Sequence, residues 1–544
     1  MITEVTNVCI SLGIHIGHDG GAAIMKDGNI LVAISEERLS RFKYSNGWWS
    51  AVKSCLEFTK LNLSDFDVVV FSNSGTRLEK DFDGGLSHFC VNVPRIEFVD
   101  HHLSHAISAF SLSGKRESDV YVWDAGGNDN ITQSAYSFNT HGWQLIMQTD
   151  MQTPKHKSLG TAYEAFTNFL GFRDQESGKT MALASYGRQD RWNIDLFEVS
   201  SNGQIVSALD APHHWGVVNW AQKNSVELGE LFPMTTNQNA KDISAFIQSN
   251  YESAICESIR QISNITNPQY IAISGGVGLN CKGNSVIQKH FPAINFFFNP
   301  LCSDAGLPLG NAIYGQYLLN DEIPCLESPS LCIGPEYGED AILKALSRHP
   351  DTVQPGSLRM GDLYYEKPSD IYVVITQMLN DGKILGWYSG RSEFGPRALG
   401  GRSIIANAKI HNIRNKINEQ IKEREWFRPF GASLLLSDVS RFVEHPKEYS
   451  YMIEAPMVTS LGLIELGECV HIDNSSRIQT VRDDSSPYST LLKYIKSFNG
   501  TSILLNTSFN IQEPIVETPG NAIATFLRSG LDALVLGDYL CIRK

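Results

Sequence analysis

The sequence has 544 residues, of which 42% are hydrophobic and 19% are charged, and these values are typical of a globular protein with more than one domain. Its formal net charge of -14 argues against nucleic-acid binding as the main function, because that function requires a clustered positive surface. The ten cysteines form no Cys-x-x-Cys pair, which disfavours a disulfide framework or a zinc ribbon. We see no secretory signal pattern and no apolar run that could span a membrane, so we expect a cytoplasmic protein.

Three short apolar runs open the chain. Residues 8–14, 22–25 and 30–34 predict three strands. The Asp27-Gly28 pair between the second and third runs is typical of a tight hairpin turn. We therefore expect an antiparallel start to the first domain.

The turn after the first strand and a charged stretch further on hold candidate catalytic residues. Glycines surround His18 and Asp19, and such a turn lets backbone N–H groups approach an anion, although an ordinary tight turn has the same composition. The charged stretch 36–43 is typical of a solvated helix. In the alternative interpretation, Lys43 projects into a cleft beside His18.

A pair of histidines, His101 and His105, follows a strand predicted at residues 96–99. On a helix these positions share one face, which is how two imidazoles are presented to a metal ion. A plain helix start with Asp100 as N-cap explains the same pattern without a metal. Active-site residues of open α/β sheets gather at such strand-to-helix junctions.

Two later strands, predicted at residues 120–123 and 271–274, each lead into a glycine turn. The glycines are Gly126, Gly127, Gly275 and Gly276. Together with the His18 turn they resemble the phosphate and adenosine loops of the actin-like ATPase superfamily, in which two related lobes close on a nucleotide. Asp124 directly follows the first of these strands, and Asp304 precedes a predicted helix. Both are candidate carboxylate ligands for the histidine pair, although Asp304 also fits an N-cap.

The pattern loosens between residues 331 and 366, where glycine and proline are frequent. We place a domain boundary near residue 345, which divides the chain into residues 1–345 and 346–544. The second half opens with a predicted helix at 369–379 and a predicted strand at 384–388.

Cationic side chains are concentrated in the second half of this acidic chain. They are Arg391, Arg397, Arg402, Lys422, Arg424 and Arg428, the last three on a predicted amphipathic helix with Asn418. Arginine binds phosphate through two parallel hydrogen bonds and lysine supplies a point charge, so a polyphosphate or acyl-phosphate pocket is one interpretation and a solvated basic surface is the other. Asn506, Thr507 and Ser508 follow a predicted strand and would add hydrogen-bonding groups.

Seven motifs, which follow one another over nearly the full chain, resemble the O-carbamoyltransferase family of nodulation and antibiotic-tailoring enzymes. They are Gly17–Asp19, Glu36–Arg38 with Lys43, His101–His105, Lys179–Ala184, Gly390–Gly400, Ile421–Phe430 and Asn506–Asn510. The Glu-Phe-Gly-Pro-Arg-Ala-Leu-Gly and Asn-Thr-Ser-Phe-Asn stretches within them are the most specific.

This resemblance implies an α/β fold with two domains. Residues 1–345 would form an actin-like (ASKHA, Kae1-like) two-lobed domain, and residues 346–544 a YrdC-like open α/β domain. Carbamoyl phosphate and ATP would form a carbamoyl-adenylate in the second domain. The first domain would then transfer the carbamoyl group to a hydroxyl of a small-molecule acceptor in antibiotic or secondary metabolite biosynthesis.

The resemblance also implies roles for individual residues. His18 would be the catalytic base, and Lys43 would contact the nucleotide phosphate together with the glycine turns. Fe(II) or a similar divalent metal would be held by His101, His105, Asp124 and Asp304, with Mg²⁺ as a further candidate. Carbamoyl phosphate or the adenylate would be held by Arg397, Lys422, Arg424, Arg428, Asn506, Thr507 and Ser508. Ile16 stands where some relatives carry an acid that contacts an amino-sugar, which weakens the case for an aminoglycoside-like acceptor.

Three alternatives are weaker. A tRNA threonylcarbamoyl-type enzyme is expected to have a basic surface, which the net charge of -14 opposes. A hydrogenase-maturation carbamoyltransferase is expected to carry Cys-x-x-Cys zinc fingers, which are absent from this sequence. A non-catalytic ATP-binding protein is expected to have lost one of the proposed catalytic or cationic residues, and all are present. We expect neither nucleic-acid nor membrane partners, and the oligomeric state stays open, with a homodimer as one option.

Overall fold

The chain divides into two compact units. The computed structural model describes residues 8–75, 95–149, 151–231, 236–347 and 363–543. The first unit comprises Met1–Ser40 and Tyr44–Ser330, and the second comprises Arg41–Lys43 and Leu331–Lys544. The sequence placed the division near residue 345. In the structure it falls earlier, because Ile342 and Leu346 are buried in the hydrophobic core of the second unit.

The first unit alternates between strands and helices. Its described strands are β1 (Ile10–Ile16), β2 (Gly21–Lys26), β3 (Asn29–Ser35), β4 (Val68–Asn73), β5 (Ile96–Phe98), β6 (Glu117–Trp123), β7 (Gln133–Asn139), β8 (Gly142–Gln148), β9 (Phe197–Val199), β10 (Ile205–Ser207), β11 (Tyr270–Ser274) and β12 (Asn295–Phe298). Its described helices are α1 (Glu36–Ser40), α2 (Trp49–Thr59), α3 (His101–Ser113), α4 (Leu159–Phe169), α5 (Ser177–Ala184), α6 (His213–Lys223), α7 (Gln238–Thr266), α8 (Cys281–His290) and α9 (Leu307–Asn320). The strands predicted from apolar runs are confirmed, with their ends shifted by a few residues.

Two sheets with the same connectivity form the framework of the first unit. Within the described residues, one has the strand order β3-β2-β1-β4-β5 and the other β8-β7-β6-β11-β12. In each sheet the first strand pairs antiparallel with the next strand of the chain and parallel with a later one. The carboxyl ends of β1, β4 and β5 therefore lie at one edge of their sheet, and those of β6, β11 and β12 lie at the equivalent edge of the other.

The hairpin between β2 and β3 is confirmed. Asp27 and Gly28 have φ values of 49° and 74°, and both are positive, as the favoured two-residue hairpin turns of this type require. The strands pair antiparallel from Gly21 to Lys26, with a bulge at Ile24 and Met25.

Helices α3 and α9 hold the two sheets together. α3 follows β5 but packs against β6 and β11, whereas α9 follows β12 but packs against β1, β2 and β4, and the two helices contact each other. A Cβ atom on Gly310 would lie only 2.3 Å from the carbonyl oxygen of Ser104, so glycine permits this contact. The Ser104 hydroxyl also donates to Asn311 Oδ1 at 2.6 Å. This packing fixes the N-terminal ends of the two helices relative to each other.

The second unit has its own strands and helices. Its described strands are β13 (Leu363–Glu366), β14 (Leu385–Tyr388), β15 (Arg402–Ala406), β16 (Gly431–Leu435), β17 (Arg477–Val481), β18 (Leu504–Ser508), β19 (Ala533–Leu536) and β20 (Tyr539–Arg543). Its described helices are α10 (Glu339–Ser347), α11 (Ile371–Asn380), α12 (Ile413–Lys416), α13 (Val439–Phe442), α14 (Ser460–Glu465), α15 (Pro487–Asn499) and α16 (Pro519–Arg528).

The strands of the second unit form one mixed sheet in the order β13-β20-β19-β14-β15-β18-β16-β17. One hydrophobic cluster joins the sheet to α11 and α15 through residues such as Ile375 and Leu491, and a second joins it to α10, α12 and α16 through residues such as Ile342 and Phe526. The unit is therefore an open α/β sheet, and the whole chain has a mixed α/β fold. Among the described residues, no helix combines the length and the apolar composition needed to cross a membrane.

The helix predicted to carry the second-unit cations ends sooner than the sequence indicated. α12 continues as one π-helical turn, Ile417–Ile421, which ends at Lys422. Glu423 then adopts a left-handed φ of 46°, and a non-glycine residue in that conformation ends a right-handed helix. The prediction that Arg424 and Arg428 lie on this helix was therefore wrong, and both lie in the segment that leads to β16.

Candidate functional site

The helix start that presents the histidine pair forms as its sequence suggests. Asp100 caps α3, and its side chain accepts the N–H of Leu103 at 3.1 Å. The N–H of His101 donates to Asn128 Oδ1 at 2.9 Å, which joins α3 to the loop after β6. His101 and His105 are both buried, so their imidazoles face the interior rather than solvent. The N-cap and the inward-facing pair thus occur together.

Four buried side chains, His101, His105, Asp124 and Asp304, form a cluster that we name the tetrad. Their potential ligand atoms all lie within 4.8 Å of one another. Asp304 Oδ1 lies 3.5 Å from Nε2 of His101 and 3.4 Å from Nε2 of His105, and Asp124 Oδ2 lies 3.4 Å from the latter atom. The sequence-predicted ligand set is thus brought together from α3 and from the ends of β6 and β12.

The chemistry of the tetrad fits a divalent metal ion. Nε2 of His101 and both ring nitrogens of His105 are buried and have no hydrogen-bond partner among the described residues. Buried polar atoms normally find such partners, so ring nitrogens without one, beside two carboxylates, fit the role of metal-binding atoms. Two imidazoles and two carboxylates are a donor set that suits iron or zinc.

The pKa values in the tetrad reflect its burial and its mixed charge. Burial lowers the pKa of His101, and it also acts to lower the pKa of His105, but the adjacent carboxylates of Asp124 and Asp304 raise the latter to about 9. Burial opposes ionisation of Asp304, but the charges of His101 and His105 hold its pKa well below the usual value. The pKa of Asp124 is likewise lowered, because the adjacent His105 outweighs the effect of burial. Both carboxylates are therefore ionised at neutral pH, as metal ligands must be.

Second contacts orient the two carboxylates of the tetrad. The hydroxyl of Ser74, just after β4, donates to Asp304 Oδ2 at 3.0 Å. The N–H groups of Ala125 and Gly276 donate to Asp124 at 2.6 and 2.8 Å. Such partners fix ligand direction and are part of most metal sites. Sequence reasoning missed Ser74, although a polar residue directly after a parallel strand is a signal that could have found it.

His18 lies beside the tetrad, and its side chain is 47% exposed. Its Nε2 atom is 3.3 Å from Asp304 Oδ2, and its Nδ1 atom is 3.4 Å from Asp19 Oδ2. The bond to Asp19 raises the pKa of His18 to about 9, with Asp304 adding to this against the effect of burial. A cation bound to Asp304 would act in the opposite direction, because a like charge favours the neutral imidazole.

A further histidine, His15, was not predicted to belong to this site. It is buried on β1, its Nδ1 atom lies 3.0 Å from the hydroxyl of Ser72, and burial lowers its pKa to about 3. Its Nε2 atom has no hydrogen-bond partner and lies 3.9 Å from Asp304 Oδ2. A histidine inside an apolar strand has the same pattern as a core residue, so no sequence signal marked it.

The four predicted nucleotide-loop glycines lie around Asp124. Gly275 has a φ of 84°, and a Cβ atom there would lie 2.1 Å from the carbonyl oxygen of Trp123. A Cβ atom on Gly127 would lie 3.0 Å from Cδ2 of His101. Gly126 and Gly276 complete the two turns. Close packing thus requires glycine at Gly275 and leaves little room at Gly127, and the contact of the four glycines with a nucleotide stays a prediction.

Lys43 lies with the second unit. Residues 41–43 group there, and the Arg41 guanidinium donates to the carbonyls of Pro514 and Ile515 at 2.6 and 2.8 Å. The sequence left open whether Lys43 lies on a solvated helix or projects toward His18, and its contact with a nucleotide phosphate stays a prediction. Its charge contributes, after burial and the neighbouring arginines, to the lowered pKa of Lys422.

Lys422 is the buried centre of the second-unit site. Its ammonium donates to the hydroxyl of Ser508 at 3.2 Å and to Oδ1 and the carbonyl of Asn510 at 2.6 and 2.8 Å. Burial, followed by the charges of Arg424 and Arg428, lowers its pKa well below the usual value. The structure therefore brings together Lys422, Arg424, Arg428 and Ser508, as the sequence predicted. Thr507 precedes Ser508 within β18 rather than after the strand.

Arg424 connects this lysine to a further cation. Its Nε atom donates to Asn418 Oδ1 at 2.7 Å, and its guanidinium lies 4.5 Å above the ring of Phe430. Burial and then the charges of Arg428 and Arg477 lower its pKa. Arg477, at the start of β17, was missed because it lies about fifty residues away in the sequence, outside the cationic segment. A concentration of positive charge at this density favours an anionic ligand.

Arg397 extends from a loop whose backbone is tightly held. Glu393 Oε1 accepts the N–H groups of Leu399, Gly401 and Arg402 at 2.8, 3.1 and 3.0 Å. The Gln479 amide donates to the carbonyl of Leu399 at 2.8 Å, and the Asn506 amide donates to that of Ala398 at 3.3 Å. Asn506, on β18, thus supports the loop that carries Arg397.

The other two arginines of the predicted cluster serve the structure. Arg391 donates to the carbonyls of Gly334 and Ile333 at 2.8 and 2.5 Å. Arg402 is fully buried, lies 3.7 Å above the ring of Tyr388 and donates to the carbonyl of Gly390 at 3.0 Å. These carbonyls account for part of their hydrogen-bonding capacity, and a contact of either arginine with phosphate stays a prediction.

Each unit thus has its own cluster of buried ionisable side chains, and such clusters are typical of enzyme active sites. Residues 78–313 match the family model of the carbamoyltransferase N-terminus, and residues 376–543 match that of the carbamoyltransferase C-terminus. The chain is 32% identical over 560 residues to nodulation protein NolNO of Sinorhizobium fredii. This alignment covers 97% of the chain and 79% of that protein. The chain belongs to the carbamoyltransferase family, and it is a transferase.

Two further relatives show how broad this family is. A 3'-hydroxymethylcephem-O-carbamoyltransferase of Amycolatopsis lactamdurans is 26% identical over 558 residues, covering 96% of this chain and 97% of that protein. Nodulation protein U of Rhizobium tropici is 24% identical over 554 residues, covering 92% and 90%. The similarity therefore extends over both units.

Proposed function

We propose that the chain is an O-carbamoyltransferase that works through a carbamoyl-adenylate. The second unit, as a YrdC-like domain, would form this intermediate, and the first unit, as an actin-like (Kae1-like) domain, would transfer the carbamoyl group to a hydroxyl of a small natural product. The observation that carries the proposal is that each unit has a different polar site: a cationic pocket around Lys422 and the histidine–carboxylate tetrad. The repeated strand order of the first unit supports its actin-like assignment.

Activation takes place in the second unit. Water releases phosphate from carbamoyl phosphate, and an oxygen of the resulting carbamate attacks the α-phosphorus of ATP. The bond between the α-phosphorus and the bridging oxygen breaks, and pyrophosphate leaves with the electron pair. Arg397, Lys422 and Arg428 neutralise the phosphates, Arg424 adds charge, and the hydroxyls of Ser508 and Thr507 donate hydrogen bonds. Lys43 adds its charge from the same unit.

Transfer takes place in the first unit. The acceptor oxygen attacks the carbamoyl carbon, the bond from that carbon to the AMP oxygen breaks, and AMP leaves with the electron pair. His18 takes the hydroxyl proton, and its half-exposed position leaves room for an acceptor. The glycine turns at 126–127 and 275–276 approach the nucleotide. Fe(II) or a similar divalent ion, when bound to the tetrad, supplies positive charge that stabilises the leaving phosphate.

Release of pyrophosphate without any acceptor tests the activation step. Purified protein with ATP and carbamoyl phosphate should release pyrophosphate, because the adenylate forms from carbamate and ATP without an acceptor hydroxyl. Omission of carbamoyl phosphate should stop the release, which controls for plain ATP hydrolysis. Folded, metal-loaded protein that releases no pyrophosphate would contradict the adenylate mechanism. Mass spectrometry of hydroxylated natural products incubated with both co-substrates should then identify the acceptor by its carbamoyl mass gain.

A further inference from the structure

The ammonium group of Lys155 lies against the glycine loop that follows Asp124. A Cβ atom built on Gly126 would lie 3.0 Å from Lys155 Nζ and 2.9 Å from its Cε, so the end of this side chain lies directly against the loop. The same loop touches the tetrad, since a Cβ atom on Gly127 would lie 3.0 Å from Cδ2 of His101. Lys155 therefore brings a positive charge to the loop that carries one of the tetrad carboxylates.

Local hydrogen bonds fix the backbone around Lys155. Its carbonyl accepts the N–H of Ser158 at 2.9 Å and also the hydroxyl of Thr161. Ser158 caps α4 and accepts the N–H of Thr161 at 3.1 Å. Gly160, in the first turn of α4, is close enough to Ala125 that a Cβ atom would lie 3.0 Å from the Ala125 nitrogen. The segment is thus attached to the Asp124 loop at two points.

The charge of Lys155 forms no ion pair with any described residue. Asp124, in the adjoining loop, is engaged with His105 at 3.4 Å and with the N–H groups of Ala125 and Gly276 at 2.6 and 2.8 Å. Lys155 is partly buried. A partly buried ammonium without a carboxylate partner is available to an anion.

Lys155 belongs to a segment that only one half of the first unit contains. The connection from β8 to α7 extends from Gln148 to Gln238 and contains α4, α5 and α6. The equivalent connection in the other half, from β3 to α2, extends only from Ser35 to Trp49. Lys155 therefore lies in an addition to the repeated framework, and binding residues occur disproportionately on such connecting segments carried by a rigid scaffold.

We propose that Lys155 binds the phosphate of the adenylate in the first unit and of the AMP that leaves it. This inference rests on the proposed function. As the bond between the carbamoyl carbon and the phosphate oxygen breaks, AMP takes the electron pair and its phosphate gains a second negative charge. A fixed ammonium stabilises that product charge more than the single charge of the bound adenylate. Lys155 exchanges no proton in this step.

Lysine footprinting on the full-length wild-type protein tests the contact directly. Saturating AMP should slow acylation of Lys155 by an amine-reactive ester, whereas adenosine should not, because it lacks the phosphate. Lys157, on the same 3₁₀ turn, is the internal control and should react equally in all samples. Equal labelling of Lys155 with and without AMP would overturn the assignment. Pyrophosphate release by the same preparation separates this failure from failure of the proposed function.

Substitutions give an independent measurement. Lys155→Ala should raise the Kd of AMP by about tenfold or more, the effect of losing one charge-assisted contact. Lys155→Arg should restore most of the affinity because it keeps the charge, and Lys157→Ala should bind AMP like the wild type. AMP affinity that is unchanged in Lys155→Ala, or reduced equally in Lys157→Ala, would contradict a specific phosphate contact.

Discussion

At the scale of single residues, the tetrad concentrates buried ionisable side chains in the first unit. Two imidazoles and two carboxylates are buried together, and burial of charge is unfavourable unless partners or a metal compensate it. The carboxylates have such partners in Ser74, Ala125 and Gly276, but Nε2 of His101 has none. This imbalance is the residue-scale argument that the tetrad holds a metal.

Removal of one imidazole tests that argument. His101→Ala should lower the affinity for Fe(II) or Zn²⁺ by at least about tenfold, because even supporting contacts of a metal ligand contribute that much. Metal content after dialysis, measured by mass spectrometry, gives the readout. His290→Ala removes an exposed histidine at the end of α8 and should retain wild-type metal content. Wild-type metal content in His101→Ala would return the histidine pair to a purely structural role.

Some of these residues were predictable from the sequence, and others were not. His101 and His105 share a helix face, and Asp124 directly follows a strand, so local patterns indicated all three residues. Ser74 directly follows a parallel strand, so a local signal also existed for it, although we missed it. His15 lies inside an apolar strand and joins the site only through contacts with distant segments of the chain. Long-range juxtaposition of this kind leaves no signal in a single sequence.

At the scale of elements, the contact between α3 and α9 positions the tetrad. His101 begins α3 and Asp304 directly precedes α9, so the separation of these side chains depends on how the two helices meet. Gly310 lies at the point of closest approach.

A methyl group at that point should disturb the packing. A Cβ atom on Gly310 would lie 2.3 Å from the Ser104 carbonyl oxygen, so Gly310→Ala should destabilise the first unit by about 1–3 kcal/mol, the usual cost of overpacking. Gly178→Ala is the matched control, because Gly178 lies in α5 with no atom within 4 Å of its Cβ position. Urea unfolding compares the two variants. Equal free energies of unfolding for the two variants would contradict close packing of the helices at Gly310.

The loop that carries Arg397 is the corresponding element of the second unit. Gln479 donates to the carbonyl of Leu399 and accepts from Ser433 and Asn506 at 2.6 and 3.0 Å. Gln479→Leu removes all three hydrogen bonds and leaves the buried Leu399 carbonyl without its side-chain donor, which costs about 1–3 kcal/mol. Because the loop loses its support, the KM for carbamoyl phosphate should rise.

Pyrophosphate release at varied carbamoyl phosphate concentration measures that KM. Gln377→Leu, at an exposed position on α11, makes the same substitution away from the loop and should leave the KM unchanged. An unchanged KM in Gln479→Leu would contradict the positioning role of this glutamine.

Part of the secondary structure was predictable from local patterns. Apolar runs located strands such as β1, β2, β3, β6 and β11, and Asp27-Gly28 located the hairpin between β2 and β3, but β7 to β10 and β12 were not predicted. The cationic segment is a case that the sequence leaves open, because Arg391 and Arg402 donate to backbone carbonyls inside the fold. Charge shows that a residue needs partners, but only the folded chain shows whether these are substrate or backbone.

At the scale of the whole molecule, the two units carry different chemistry. The first unit is built from two sheets with the same strand order. His18 and Asp124 follow the equivalent strands β1 and β6, and His101 and Asp304 follow the equivalent strands β5 and β12. The second is a single open sheet that gathers cations around Lys422. We propose that activation takes place in the second unit and transfer in the first.

The rate of acceptor-free pyrophosphate release, measured for three variants, tests this division most directly. Arg397→Ala should lose release by about 100-fold or more, the effect of removing a group that stabilises developing charge. His18→Asn should retain it, because its proposed role begins only after the adenylate has formed. Arg482→Ala, which removes an exposed second-unit arginine paired with Glu448, should behave like the wild type. Equal loss of pyrophosphate release in Arg397→Ala and His18→Asn would contradict a division of the reaction between the units.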